Sequence, residues 1–359
     1  MALQAQITVD PMSIMDFCPG ATFTIGFTAT GTFNAGNVFT AELSDATGSF
    51  VAPTVIGASA ATTSGNVNCT IPAAAIASST YLLRVSSSDL PLTGVPYGAT
   101  LTIHPLPFAG TNGSVTLCSS ANSVDVPVYL GGTPDPGGVV TVLMGAGVVM
   151  GTIYAGAFNG DQVVYTVTDA NGCSASATLF IGVNMAPNAG VNTNINVCSS
   201  STAFSMFAQL GGSPDAGGLW TSPGGSPHPN SFNPVVDPAG CYVYIVPGVA
   251  PCMNASSVLC ITATPAPNAG TNTTLSWCQG DGPFTMLTQL NGGPQAGGSW
   301  TDPFSDPHSS TFTPGVDPNG LYTYTIPASG GCPGVSATLD VTVITTCLTT
   351  TPVGNLPTY

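Results

Sequence analysis

The sequence predicts an all-β protein, a tandem array of four β-sandwich domains, and three observations carry that prediction. The chain repeats itself at a fixed period, its composition suits strands and tight turns, and its cysteines recur within the period. At 359 residues it is long enough for several domains, each with its own core. Its 44 glycines and 32 prolines, with abundant Thr, Ser and Val, favour strands joined by turns over long helices.

The repeat is legible residue by residue. Cys198 and Cys278, Trp220 and Trp300, His228 and His308, and Cys252 and Cys332 all share one offset in residue number, so the two units align without a gap. NAGVNTNINVCSSSTAFSMFAQLGGSPDAGGLW from Asn188 matches NAGTNTTLSWCQGDGPFTMLTQLNGGPQAGGSW from Asn268, and FNPVVDPAGCYVYIVP from Phe232 matches FTPGVDPNGLYTYTIP from Phe312. A third copy precedes them, with AGTNGSVTLCSS from Ala109 and LGGTPDPGG from Leu130; it lacks the tryptophan and ends at Cys173, one residue out of step with Cys252.

The domains read as an N-terminal β-sandwich over 1–105, repeats over 106–186, 187–265 and 266–344, and a polar tail over 345–359. In the first domain, alternation along Thr22–Phe27 and Thr80–Val85 fits half-buried strands. The junctions near Pro105 to Pro107, Pro187 and Pro265 to Pro267 are short and proline-containing, so the expected object is a stiff linear array.

In the last repeat, strands are expected at 274–278, 284–290, 311–313, 322–326 and 337–344, with a turn over 291–298 and Trp300 opening another strand. That count and spacing suit an immunoglobulin-like sandwich. Asp317-Pro318-Asn319-Gly320-Leu321-Tyr322 matches the corner at which a tyrosine anchors a late strand in such folds, with one residue more between Asp and Tyr.

Eleven widely spaced cysteines without a C-x-x-C pair point to an oxidising compartment, hence to a secreted, extracellular or cell-surface protein. Similar wide spacings pair Cys18 with Cys69, Cys118 with Cys173, Cys198 with Cys252, and Cys278 with Cys332 inside their domains. A bridge closing so long a loop contributes about 4 kcal/mol through the unfolded chain. Cys241 and Cys260 flank a hairpin and face each other across it. Cys347 is left over, available to a second chain.

GGSPDAGGLW, DPAGCYVYIV and DPNGLYTYTI, each followed by a later cysteine, resemble the immunoglobulin-like or PKD-like repeat modules of giant surface proteins of Bacteroidetes. The resemblance covers 107–344, and GTFNAGNVFTAELSDATGSF in the first domain resembles another repeat type of the same proteins. It implies gliding-motility adhesin character and export by type IX secretion, although no sorting domain is recognisable after Ile344.

Charge excludes several partners. The chain has one basic residue, Arg84, against 16 acidic ones, a net charge of −15, so neither nucleic acid nor an anionic membrane surface is an electrostatic partner. Without lysine no Lys–Asn isopeptide staple can form. The start lacks an intact signal peptide; Ala2 to Ala5 reads as the tail of one, with the mature chain beginning near Gln6. The uncharged run 139–158 has the length of a membrane span, but its Gly and β-branched content and its place in the repeat make it buried strands.

Catalytic chemistry finds no foothold. No G-x-S-x-G elbow occurs, Gly145-Ala146-Gly147 lies in a β context, and His104, His228 and His308 lack a second ligand at metal spacing, so no enzyme and no metal centre is expected. Calcium is the one ion that Asp215, Asp237, Asp302, Asp306 and Asp317 suit, though an Asp in such turns ordinarily initiates the turn itself. Trp220 and Trp300 fit the core better than a sugar-stacking platform; Trp277 is the third candidate platform. Two roles remain: a structural subunit or stalk of a surface filament or adhesin, whose partners are copies of itself or other surface proteins, or a non-polymerising module that binds glycans or a surface.

Overall fold

Period-two burial governs nearly every strand. The computed structural model describes residues 5–347; most of the segment read as a signal remnant, and the tail beyond Cys347, lie outside them. The chain is all-β, in several separate sheets, with short 3-10 turns at Val126–Tyr129, Phe207–Gln209 and Met286–Gln289. Four separate apolar clusters form its cores. Among the described residues no helix is long and apolar enough to cross a membrane. They fall into two compact units: residues up to Met185 together with Val249–Cys252, and the remainder.

In the first unit, the N-terminal domain sets a three-stranded sheet, Gln6–Val9, Thr22–Thr30 and Gly65–Thr70, beside a four-stranded one, Thr54–Ala60, Val38–Leu43, Leu83–Ser87 and Leu92–Thr93. Ile25, Phe27, Phe39, Val67, Leu83 and Val85 fill the space between. The expected alternation over Thr80–Val85 is interrupted at Leu82: Ser78–Tyr81 belongs to a third sheet, with Leu101–Ile103 and Asp16–Phe17, and the chain enters the four-stranded one at Leu83. The first repeat follows with strands ordered Gly113–Cys118, Ser174–Asn184, Asp161–Thr168 and Val139–Met144; the first pair is parallel, the others antiparallel.

In the second unit, the later repeats have the same strands at the offset that separates Cys198 from Cys278. Thr193–Cys198 lies parallel to Ala255–Thr264, followed by Gly240–Val246, Leu219–Thr221 and Pro227–His228. Thr273–Cys278, Val335–Ile344, Gly320–Ile326, Ser299–Thr301 and Pro307–His308 repeat that order. Each has a two-stranded sheet opposite, Phe204–Ser205 with Ser231–Phe232, and Phe284–Thr285 with Thr311–Phe312.

Two local expectations change. The strand expected over 284–290 stops at Thr285, where the chain turns through Met286–Gln289: Met286 and Leu290 are buried, but Thr288, which a continuing strand would place on the same face, is exposed and donates its hydroxyl back to Thr285 O. Residues 139–158 form strands Val139–Met144, Val148–Met150 and Ile153–Ala155, but they are not buried: Val139, Leu143, Val148 and Met150 are 63, 61, 65 and 63 % exposed. Val140, Tyr154 and Ala157 of this run are buried in the core, and half-buried Val149 packs against it.

The repeat signature has a mechanical cause. The second tyrosine of each Tyr-x-Tyr, like Tyr165 in the first repeat, sends its hydroxyl into the loop before the tryptophan strand or its equivalent. Tyr165 donates to Asp135 O, Tyr244 to Asp215 O and Tyr324 to Gln295 O at 2.7, 2.7 and 2.6 Å, and each accepts from Gly138, Gly218 or Gly298 N. A Cβ on any of those three glycines would strike the tyrosine ring. The first tyrosine does the work of the expected corner: Tyr242 and Tyr322 Oη donate to Pro238 O and Pro318 O, both at 2.8 Å. Burial, then the charges of Asp317 and Asp302, push the Tyr322 hydroxyl up to about 12, so it remains a donor.

Candidate functional site

The feature that the fold builds three times over is a cysteine at each end of a repeat. Because the first strand of a repeat runs parallel to its last, Cys118, Cys198 and Cys278 end up opposite Asn184, Thr264 and Ile344, where the repeat finishes. The other cysteine sits at the opposite end, in the hairpin turn before the last strand: Cys173 before Ser174–Asn184, Cys252 before Ala255–Thr264, Cys332 before Val335–Ile344. A strand of about ten residues, some 30 Å, lies between the two. A disulfide cannot bridge Cα atoms more than about 7 Å apart, so the pairings expected inside each repeat are geometrically excluded.

The bonds instead run to the neighbouring repeat. Cys18 pairs with Cys173, Cys118 with Cys252 and Cys198 with Cys332, at Cα separations of 5.4, 4.8 and 4.6 Å. These replace the expected Cys18–Cys69, Cys118–Cys173, Cys198–Cys252 and Cys278–Cys332 bonds. Cys347, expected to be free for a second chain, closes the series on Cys278 at 6.0 Å. Cys241 and Cys260 are bonded as expected, directly opposite in register at 3.9 Å. Cys69 is the free thiol among the described residues; it alternates inward with Val67 and Ile71, is 1 % exposed, and burial pushes its pKa up to about 12. Five bonded pairs point to an oxidising environment.

Each bond is seated by its surroundings. In the first unit, Asn184 Nδ2 donates to Ala250 O at 2.7 Å beside the Cys118–Cys252 bridge. In the second, the turn Ser329–Cys332 lies so close to the end of Thr193–Cys198 that a Cβ on Gly331 would come within 2.7 Å of Asn196 O. Gly330 and Gly331, both at positive φ, are what let that turn approach.

The remaining candidates resolve into structural roles. Trp220 and Trp300 are 4 % exposed and pack on Tyr244 and Tyr324, while half-buried Trp277 packs on Phe284 and donates to Gly282 O. His228 and His308 hydrogen-bond backbone carbonyls at Nδ1 and lie 3.4 and 3.3 Å from Asp237 and Asp317. His104 meets Asp16 at 2.9 Å. The aspartates weighed for calcium hold turns: Asp215 accepts from Asn188 N, Asp237 from Asn233 N, Asp317 from Thr313 N, and Asp302 from the backbone of Phe304 and Asp306. Among the described residues no three His, Cys, Asp or Glu side chains converge as a metal site.

Arg84, the only Lys or Arg in the chain, is spent internally. Its Nε donates to Glu42 Oε2 at 2.6 Å across paired strands, and its guanidinium lies 4.2 Å from the Phe50 ring centre. The first repeat leaves a different surface: its sheet ends at Val139–Met144, whereas the later repeats extend theirs by Pro227–His228 and Pro307–His308, whose prolines cannot pass on the ladder. The chain matches no protein-family model and no curated protein.

Proposed function

We propose that the chain is an extracellular structural repeat protein, a subunit or stalk of a bacterial surface filament or adhesin, built of four immunoglobulin-like sandwich domains. The observation that carries this reading is the series of disulfides joining each repeat to the next, which spends cysteine on continuity along the chain. The resemblance to Bacteroidetes surface repeats supports the cell surface as its location and type IX secretion as its route.

Its partners on this reading are copies of itself, joined at the open edge Val139–Met144. That edge carries exposed Val139, Val142, Leu143 and Met144, and residues 136–160 contain no charge, so two copies of a chain with net charge −15 meet there without local repulsion. The second reading, a module that binds a surface without polymerising, is favoured by the same apolar strip if a ligand covers it. Negative-stain electron microscopy of the native protein separates the two: uniform filaments support the subunit, and isolated particles at all concentrations leave the surface-binding module.

A further inference from the structure

The disulfides overlap. Residues 18–173, 118–252, 198–332 and 278–347 are closed loops, each beginning before its predecessor ends. A chain pulled from its ends is limited by its shortest covalent route. From Cys18 that route crosses to Cys173, follows the backbone to Cys198, crosses to Cys332, and follows the backbone to Cys347. It contains 25 peptide steps in the first stretch and 15 in the second, 40 in all, where the reduced backbone has 329.

We propose that this interleaving makes the chain a tension-bearing tether whose extension stays covalently capped even when every domain has unfolded. At about 3.4 Å per residue, the oxidised route between Cys18 and Cys347 reaches roughly 140 Å and the reduced one roughly 1,100 Å, an eightfold difference. Bridges closed inside each domain would leave a route of 115 steps, so the cap comes from linking neighbours and not from the number of bonds. The Cys118–Cys252 and Cys278–Cys347 bonds form a second track: with Cys198–Cys332 broken, the shortest route is 81 steps, through Cys173, Cys118, Cys252 and Cys278. The inference goes beyond the proposed function and does not need it, since a tether can bear load whether or not copies polymerise.

Single-molecule stretching of the full chain, held at its two ends, tests it. The oxidised protein is expected to stop at a contour of 40 peptide steps between Cys18 and Cys347, and to lengthen to the full 329 steps on adding a phosphine reductant. The paired substitutions Cys198→Ser and Cys332→Ser are expected to give 81 steps, whereas Cys118→Ser with Cys252→Ser leaves 40. An oxidised contour of 115 steps or more overturns the proposal. Peptide mapping of the unreduced wild-type protein by mass spectrometry decides the same question if a variant fails to fold: Cys18–Cys173 and Cys198–Cys332 linked peptides support it, and Cys198–Cys252 peptides overturn it.

Discussion

The first repeat and the two later ones share a strand order and solve the same packing problem with different residues. Trp220 and Trp300 pack on the second tyrosine of the Tyr-x-Tyr pair; Val140, one repeat period before Trp220, occupies the corresponding place in the first repeat. There the core is completed by Tyr154, whose hydroxyl donates to the buried Asp161 carboxylate at 2.8 Å and accepts from Gly147 N. The later repeats close their sheet with a Pro-His strand, while the first leaves its edge open and its apolar side chains in water. A repeat can thus keep its fold and its cysteines while its outer edge becomes available for another role.

Substitutions sharpen that contrast, the largest effect first. Trp300→Ala is expected to cost about 3–5 kcal/mol of its repeat's stability, and Val140→Ala only about 2 kcal/mol, measured by chemical denaturation. Equal losses would mean that the two positions are not equivalent in the core. Tyr154→Phe strips the buried Asp161 of a donor and is expected to cost about 1–3 kcal/mol, more than Tyr322→Phe, which frees only a backbone carbonyl. Val142→Lys with Val148→Lys is expected to abolish concentration-dependent association in sedimentation, while unfolding moves by less than about 0.5 kcal/mol. Unchanged association would place the contact between copies elsewhere.

The smallest effects lie in the N-terminal domain. The Asp45 carboxylate is held below its usual range by the Thr47 hydroxyl and then by the backbone N–H groups of Ser49 and Thr47. A depressed folded pKa stabilises above the unfolded value and is lost as pH falls through the folded one, so wild type and Asp45→Asn should converge in melting temperature toward pH 2 and diverge at pH 5. Cys69, protonated up to about 12, should resist alkylation at pH 8 and yield one labelled thiol per chain once denaturant is added without reductant.

Much of this was legible in residues alone. The offset from Cys198 to Cys278 reproduces every strand of the later repeats, the corner tyrosines bond where the Asp-Pro motif suggests, and the Cys241–Cys260 bridge follows from hairpin symmetry. The other pairings were not legible, because the parallel pairing of first and last strands, which sends two cysteines to opposite ends of a repeat, leaves no local pattern. A signal did exist at the chain's two ends. Val67, Cys69 and Ile71 alternate as a core strand, which withdraws Cys69 from pairing, and Cys347 is surplus; sliding every bond by one repeat satisfies both. The exposure of residues 139–158 was hidden for a related reason, since hydrophobicity reports what burial would gain and says nothing of whether a neighbouring strand is there to provide it.

The pairing of Arg84 with Glu42 reaches beyond electrostatics. A protease that cuts after lysine or arginine finds one such bond in the whole chain, Arg84–Val85, in the middle of the strand Leu83–Ser87 and hydrogen-bonded on the side facing Val38–Leu43. Were it cut, the two pieces would stay joined, because the Cys18–Cys173 bond spans the break. Trypsin-like enzymes therefore have nothing in this protein that they can take apart.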